Sequence, residues 1–181
     1  MPTIISHAVI GMTGTNLMQG ENSGRLKLVL LSILCAIAPD ADVITFKLGI
    51  AYGDFFGHRG FFHSIFFAAV LDFSVRALFY RSDKLFSGTG FFLSAYFSII
   101  AISHGVLDAF TNGGLGIALL SPFDNTRYFF WKTPIQVAAI KPAKFFSAHG
   151  IRVMSNEMLW VWLPCLLILA FSFLYRKYRQ T

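Results

Sequence analysis

Apolar residues come in long blocks along this chain, not in strict alternation with polar ones. Five blocks stand out, at 4–18, 26–39, 61–80, 91–110 and 158–175, the first interrupted by Gly and Thr. Blocks of this kind, broken by short polar or glycine-containing stretches, predict helices. At 1.5 Å per residue, helices over the last three would each reach about 27–30 Å, the thickness of a bilayer core. The first two reach about 20 Å by the same rule. They are expected to form a half-inserted hairpin or to extend into flanking residues. The pattern predicts an all-α, multi-pass membrane protein with four or five embedded helices. Residues 1–181 read as a single integral membrane domain, with 111–157 as a cap region between the last two helices.

Composition narrows the class. Of the 181 residues, 55% are hydrophobic, 17% aromatic and only 13% charged. An ordinary soluble domain carries about 25% charged residues. This excludes a disordered chain and argues against a conventional soluble enzyme. The net charge of +6 would suit nucleic acid or anionic lipid, and the apolar character favours membrane lipid. Cys35 and Cys165 both lie in apolar blocks, so packed thiols are expected and a disulfide is not. No basic segment precedes residue 4, so no cleavable signal peptide is expected.

Alternating five crossings sorts the loops onto two sides. Residues 20–27, 81–89 and 176–181 carry Arg25, Lys27, Arg81, Lys84, Arg176, Lys177 and Arg179. Residues 40–60 and 111–157 are about three times longer in total and also carry seven basic residues, Lys141 among them. The positive-inside rule makes the first side cytoplasmic, with the C-terminus on it.

Histidines and acids are few, and their placement is not random. Asp40 and Asp42 end the second block, His58 and His63 open the third, His104 and Asp108 close the fourth, and His7 lies near the start of the first. In the alternating arrangement all seven fall at one membrane face, the periplasmic one. His104 and Asp108 are four apart and share a helix face, with Thr111 close to it. His58 and His63 are five apart, about 140° around a helix, so His58 is expected in the preceding loop and His63 in the first turn. The Asp40-x-Asp42 pair would give one ligand and one outer carboxylate. Imidazole and carboxylate together suit a divalent metal, Zn first and Mn or Fe less selectively. Buried charges of this kind cost a few kcal/mol at a membrane-helix centre, and ligation offsets that cost.

Other groups take plainer readings. Asp72 and Arg76, also four apart, predict an intrahelical ion pair. Asp54 reads as a loop carboxylate. The Gly113-Gly114-x-Gly116 stretch reads as turn geometry. Nothing in the sequence brings His149 or Glu157 to the other ligands.

At the segments Thr3-Ile4-Ile5-Ser6-His7, Pro39-Asp40-Ala41-Asp42, His58-Arg59-Gly60-Phe61-Phe62-His63-Ser64, Ser103-His104-x-x-x-Asp108-x-x-Thr111-Asn112 and Ser121-Pro122-Phe123 to Arg127-Tyr128-Phe129, the chain resembles a known family. It is similar to the metal-dependent hydrolases of the bacterial inner membrane described as LexA-binding. The likeness runs to about residue 135. It implies a distant kinship with zinc-dependent phospholipase C and single-strand nucleases, helical enzymes holding one to three zinc ions with a His-x-x-x-Asp pair. On that resemblance the pair is His104 and Asp108. Asp40 or Asp42 and His58 or His63 would be upstream ligands, and His7 an early one. A LexA-type regulator would be a partner by resemblance only.

The expected function is metal-assisted hydrolysis of a phosphoester in an amphiphilic or nucleotide substrate. His7, Asp40, His58, His63, His104 and Asp108 are the candidate ligands. Asp42 would orient a ligand histidine or act as general base. Arg59 and Arg127 would hold phosphate through their guanidinium groups, or else anchor at the head-group level. A non-enzymatic partner of a regulator, with a structural ion, is the alternative. Clustering of the polar groups at one level argues against a permeation module.

Overall fold

The computed structural model describes residues 1–18, 24–81, 87–139 and 144–180. Lys84 and Lys141 lie outside the described residues. Among the described residues the chain forms six α-helices and no named strand: α1 (Ile4–Leu17), α2 (Arg25–Ile37), α3 (Ile65–Phe79), α4 (Gly88–Ala109), α5 (Ala148–Glu157) and α6 (Leu163–Gln180). Three helical stretches are long and apolar enough to cross a membrane: Arg25–Leu48, Gly88–Ala109 and Ala148–Gln180. The protein is an all-α membrane protein, as the block pattern predicts.

Three helices depart in length from the blocks that announce them. The second block does not stop at Pro39. Proline has no N–H to give the carbonyl four residues back, and the chain tightens there into a 3-10 helix, Ala38–Leu48. Gly49, at φ 78°, ends it. The third block turns α-helical only at Ile65, because Ser64 takes extended geometry and its Oγ accepts the Phe67 N–H as an N-cap. At 15 residues α3 spans about 22 Å. The last helix begins ten residues earlier than its apolar block, since α5 and α6 are joined through a π turn at Met158–Trp162.

The helices pack around small residues. A Cβ at Gly11 would lie 2.7 Å from the Ser32 carbonyl oxygen, so only glycine lets α1 sit this close to α2. Tyr96 of α4 closes this corner, its hydroxyl 2.6 Å from Ser32 Oγ and 3.0 Å from Thr15 Oγ1. Leu31, Cys35, Ala36, Ala68, Val75, Phe97, Ile100 and Ala101 form the core between α2, α3 and α4. Cys35 and Cys165 are both buried and unpaired. On α6, Leu166, Leu167, Phe171 and Phe173 stay exposed, the face an apolar helix presents to lipid.

Basic residues gather at one end of the helix bundle. Arg176 Nη2 donates to the Asn16 and Leu17 carbonyls at the C-terminus of α1 (2.8 and 3.1 Å). Arg25 Nη2 donates to Asn16 Oδ1 (2.7 Å), and Lys27 Nζ to the Phe79 carbonyl that ends α3. The Arg176 and Lys27 contacts fill orphan carbonyls at helix ends. At the other end, isolated bridges pair Thr111 with Ile135 and Ile117 with Tyr128. They fold residues 111–139 back over the ends of α1 and α4, where Ala138 N–H donates to the Met1 carbonyl and Phe130 N–H to that of Ala109.

Candidate metal centre

Five separate elements bring histidine and aspartate to the capped end. His7 comes from the first turn of α1. Asp40 and Asp42 come from the 3-10 continuation of α2. His58 lies in the turn-rich loop after it, and His63 in a single 3-10 turn, Phe61–His63, just before α3. His104 and Asp108 come from the last turns of α4. All seven are buried, none more than 6% exposed.

Four of them point ligand atoms at one another. Asp40, His63, His104 and Asp108 each offer one atom within 4.8 Å of all the others. His104 Nε2 lies 3.1 Å from His63 Nε2 and 3.3 Å from Asp40 Oδ1. His63 Nε2 lies 3.7 Å from Asp40 Oδ1 and 3.6 Å from Asp108 Oδ2. Bonds of about 2.0–2.1 Å in a tetrahedron put ligand atoms about 3.3 Å apart. The separations bracket that figure. His7 stands at the edge of the group, its ring stacked on His104 at 3.8 Å and its Nε2 3.4 Å from Asp108 Oδ1.

Polar satisfaction points the same way. Both ring nitrogens of His7 and both carboxylate oxygens of Asp40 and of Asp108 are buried without a hydrogen-bond partner. A buried polar atom left unpaired costs about 1–3 kcal/mol, and a charged one more. Carboxylate oxygens left unpaired beside imidazole nitrogens match the donor set of a divalent cation. The residues present therefore fit a metal ion.

An outer layer aims these ligands. His104 Nδ1 donates to the Ala36 carbonyl (2.7 Å), which leaves Nε2 free to face the centre. Asp42 Oδ2 is 3.1 Å from His63 Nδ1 and turns that ring in the same way. The other Asp42 oxygen takes His58 Nδ1 at 2.6 Å, and the Arg59 N–H donates to Oδ2 at 3.1 Å. Asp42 thus sits behind the ligands, tying His58 to His63. Asp42, His58 and His63 make a second close group, held together by these contacts.

The two arginines are placed differently from each other. Arg59 is fully buried, with its backbone at φ 65°, a strained position for a residue with a side chain. Its Nε is 3.2 Å from Asp108 Oδ2, while Nη2 donates to Thr111 Oγ1 (2.8 Å) and Nη1 to the Gly113 carbonyl (2.5 Å). Arg59 thus sets its guanidinium against Asp108 and gives one N–H each to Thr111 and Gly113. Arg127 clips the loop from outside, donating to the carbonyls of His58, Tyr52 and Asp54 at 2.9, 3.1 and 3.2 Å.

Two features carried no sequence signal. A cavity of about 330 Å³ opens beside His58, lined by Met1, Tyr52, Gly114, Val137 and Lys144 among others. Tyr52 sets its ring edge against His58 at 5.2 Å, and burial pushes its hydroxyl above the usual phenol range. Glu157, fully buried, bonds the start of α1 and not the ligand group. Its partners lie more than 150 residues away in sequence, so no local spacing could announce them.

A fold of apolar crossing helices with a buried His/Asp cluster under a cap defines the class as an integral membrane protein with a candidate metal centre. Residues 1–180 match the family model described as YdjM inner membrane protein, and the chain belongs to that family. It is 34% identical over 175 residues to the inner membrane protein YbcI of Escherichia coli (strain K12), which covers 93% of this chain and 95% of the relative. No solved structure matches.

Proposed function

We propose that the protein is a metal-dependent hydrolase of the inner membrane that cleaves phosphoesters. The observation that carries this reading is the convergence of one ligand atom each from Asp40, His63, His104 and Asp108 within 4.8 Å, with the carboxylate oxygens buried and without a hydrogen bond. A divalent ion, zinc first by its donor set, would supply an acidified water and polarise a phosphoryl oxygen. His7 completes the ligand set or begins a second site beside it. Asp42 holds His58 and His63 in their rotamers, and Arg59 fixes Asp108. The cavity at His58 is the route by which a phosphoester reaches the centre, with the Tyr52 hydroxyl and Lys144 on its wall as donors.

An amphiphilic substrate fits this route. A second cavity of about 450 Å³, within the usual range for ligand sites, shares Met1, Ala138, Ala139 and Lys144 with the first. Ile4, Ile5, Phe145, Phe146 and Val153 line it, which suits a hydrocarbon chain whose head group lies toward His58. The orientation we assign places this end on the periplasmic face and the Arg25, Lys27 and Arg176 end in the cytoplasm. A reporter fused after the C-terminus tests that orientation, and an extracytoplasmic tail reverses it. Residues 1–181 act as one membrane unit in this reading, with 111–157 as its cap.

The competing reading is a membrane partner of a LexA-type regulator that holds a structural ion. It draws on the burial of the same ligands, since structural sites are closed. One experiment separates the two: metal content of the detergent-purified protein, measured alongside hydrolysis of phosphomonoester and phosphodiester probes. Near-stoichiometric metal with turnover supports the hydrolase. Bound metal with no turnover, and no exchangeable water by relaxation of the Mn-loaded protein, supports the structural ion. Metal-free protein defeats both.

A further inference from the structure

Glu157 ends α5, just before the π turn at Met158–Trp162, and its carboxylate reaches across to the opposite end of the sequence. Oε1 accepts the Thr3 N–H at 2.6 Å. Oε2 accepts the hydroxyls of Thr3 and Ser6, both at 2.5 Å. Trp162 Nε1, from the π turn itself, donates to the same Ser6 Oγ at 2.9 Å. The carboxylate is fully buried, and all three of its hydrogen bonds go to the first turn of α1.

That turn needs such a partner. Helix starts leave backbone N–H groups unsatisfied, and the N-cap residue Thr3 makes no side-chain capping bond within its own helix. A carboxylate there is also favoured by the helix dipole. His7 follows directly. Its N–H bonds the Thr3 carbonyl, as does that of Ser6, so the turn that Glu157 grips is the turn that carries the His7 ring. The ring itself has no hydrogen bond to fix it, unlike His104, whose Nδ1 is bonded to the Ala36 carbonyl; His63 has the Asp42 carboxylate 3.1 Å behind its Nδ1, and His7 has no such group behind its ring. Its orientation therefore depends on where the first turn of α1 lies.

We infer that Glu157 is a positioning residue for the metal centre, acting through Thr3 and Ser6 to hold His7 against the other ligands. The inference rests on the metal reading above. It also gives the π turn a role: the extra residue in that turn brings the Glu157 carboxylate and the Trp162 indole to the same hydroxyl.

The test is a Co²⁺ titration of the full-length, detergent-solubilised protein, read by visible absorption. It compares wild type with H7A, E157A, E157Q, the H7A/E157A pair and Y96F. Loss of an outer-shell partner commonly costs about 10–100-fold in metal affinity. E157A should weaken Co²⁺ binding by that order and alter the band. E157Q keeps the volume and one acceptor oxygen, so it should lose less, and it carries the test if E157A does not fold. In the H7A background E157A should add nothing, the signature of action through His7. Y96F removes a buried hydroxyl network far from the centre and should bind Co²⁺ as wild type does. Wild-type affinity in both Glu157 variants overturns the inference, as does an equal loss with and without His7, or an equal loss in Y96F. A wild type that binds no Co²⁺ overturns the metal reading itself and this inference with it.

Discussion

Two helices of this protein each carry a pair of ionisable residues four positions apart, and the pairs meet opposite fates. On α4, His104 and Asp108 share a face, as the helical repeat dictates. They do not bond each other. His104 turns to Ala36, His63 and Asp40, and Asp108 to His7, His63 and Arg59. On α3, Asp72 and Arg76 have the same spacing, and they too do not close on each other directly. Arg76 Nη1 donates to Ser94 Oγ of the neighbouring helix at 2.6 Å, and Asp72 Oδ1 is buried without a hydrogen-bond partner. Spacing puts two side chains on one face, but what that face packs against decides the chemistry. The α4 pair meets four other elements bearing His and Asp, whereas the α3 pair meets a serine.

The comparison breaks most sharply at Asp108. Replacing it with alanine removes a ligand atom and also leaves Arg59 buried without its carboxylate. Stranding one partner of a buried ion pair costs about 3–5 kcal/mol. D108A should therefore lose both metal and much of its thermal stability in detergent, measured by metal analysis and a melting curve. H104A should lose metal as completely with a smaller fall in stability, since it strands no charge. Retained stoichiometric metal in both variants would remove α4 from the centre.

Next in size is Asp42, which touches His58 and His63 and stands behind the four-residue group. D42N keeps the shape and loses the charge. It should weaken metal binding by about 10–100-fold while leaving the metal-saturated protein competent, so excess metal should restore activity. Failure of excess metal to restore it would make Asp42 a general base.

How much of this was legible beforehand follows from the range of each signal. Helix existence was readable because apolar blocks are local. Convergence of the seven residues at one end was readable because successive helices that run back and forth return alternate ends to the same place. The lengths were less so: the second block could end as a short hairpin or run on, and it runs on because Pro39 sits at the start of the 3-10 helix, where its missing N–H is tolerated. The role of Arg59 was hidden, since its donors reach Asp108, Thr111 and Gly113, about fifty residues away in sequence. Glu157 was hidden for the same reason, at a still longer range.

The smallest effect belongs to the α3 pair, and it is the sharpest control. R76A leaves the buried Asp72 without its neighbouring cation and the half-buried Ser94 with one donor fewer, a loss of about 1–3 kcal/mol. Because neither residue touches the centre, metal content and turnover should stay at wild-type levels. The double variant D72N/R76Q replaces both charges with neutral hydrogen-bonding groups of similar shape. It should recover most of that stability, since removing both members of a buried charged pair costs less than removing one. The melting curves of R76A and D72N/R76Q, taken beside their metal content, check this directly. If R76A lowered metal binding as D42N does, the two i, i+4 pairs would be coupled through α4. The separation between a ligand face and a packing face on neighbouring helices would then be lost.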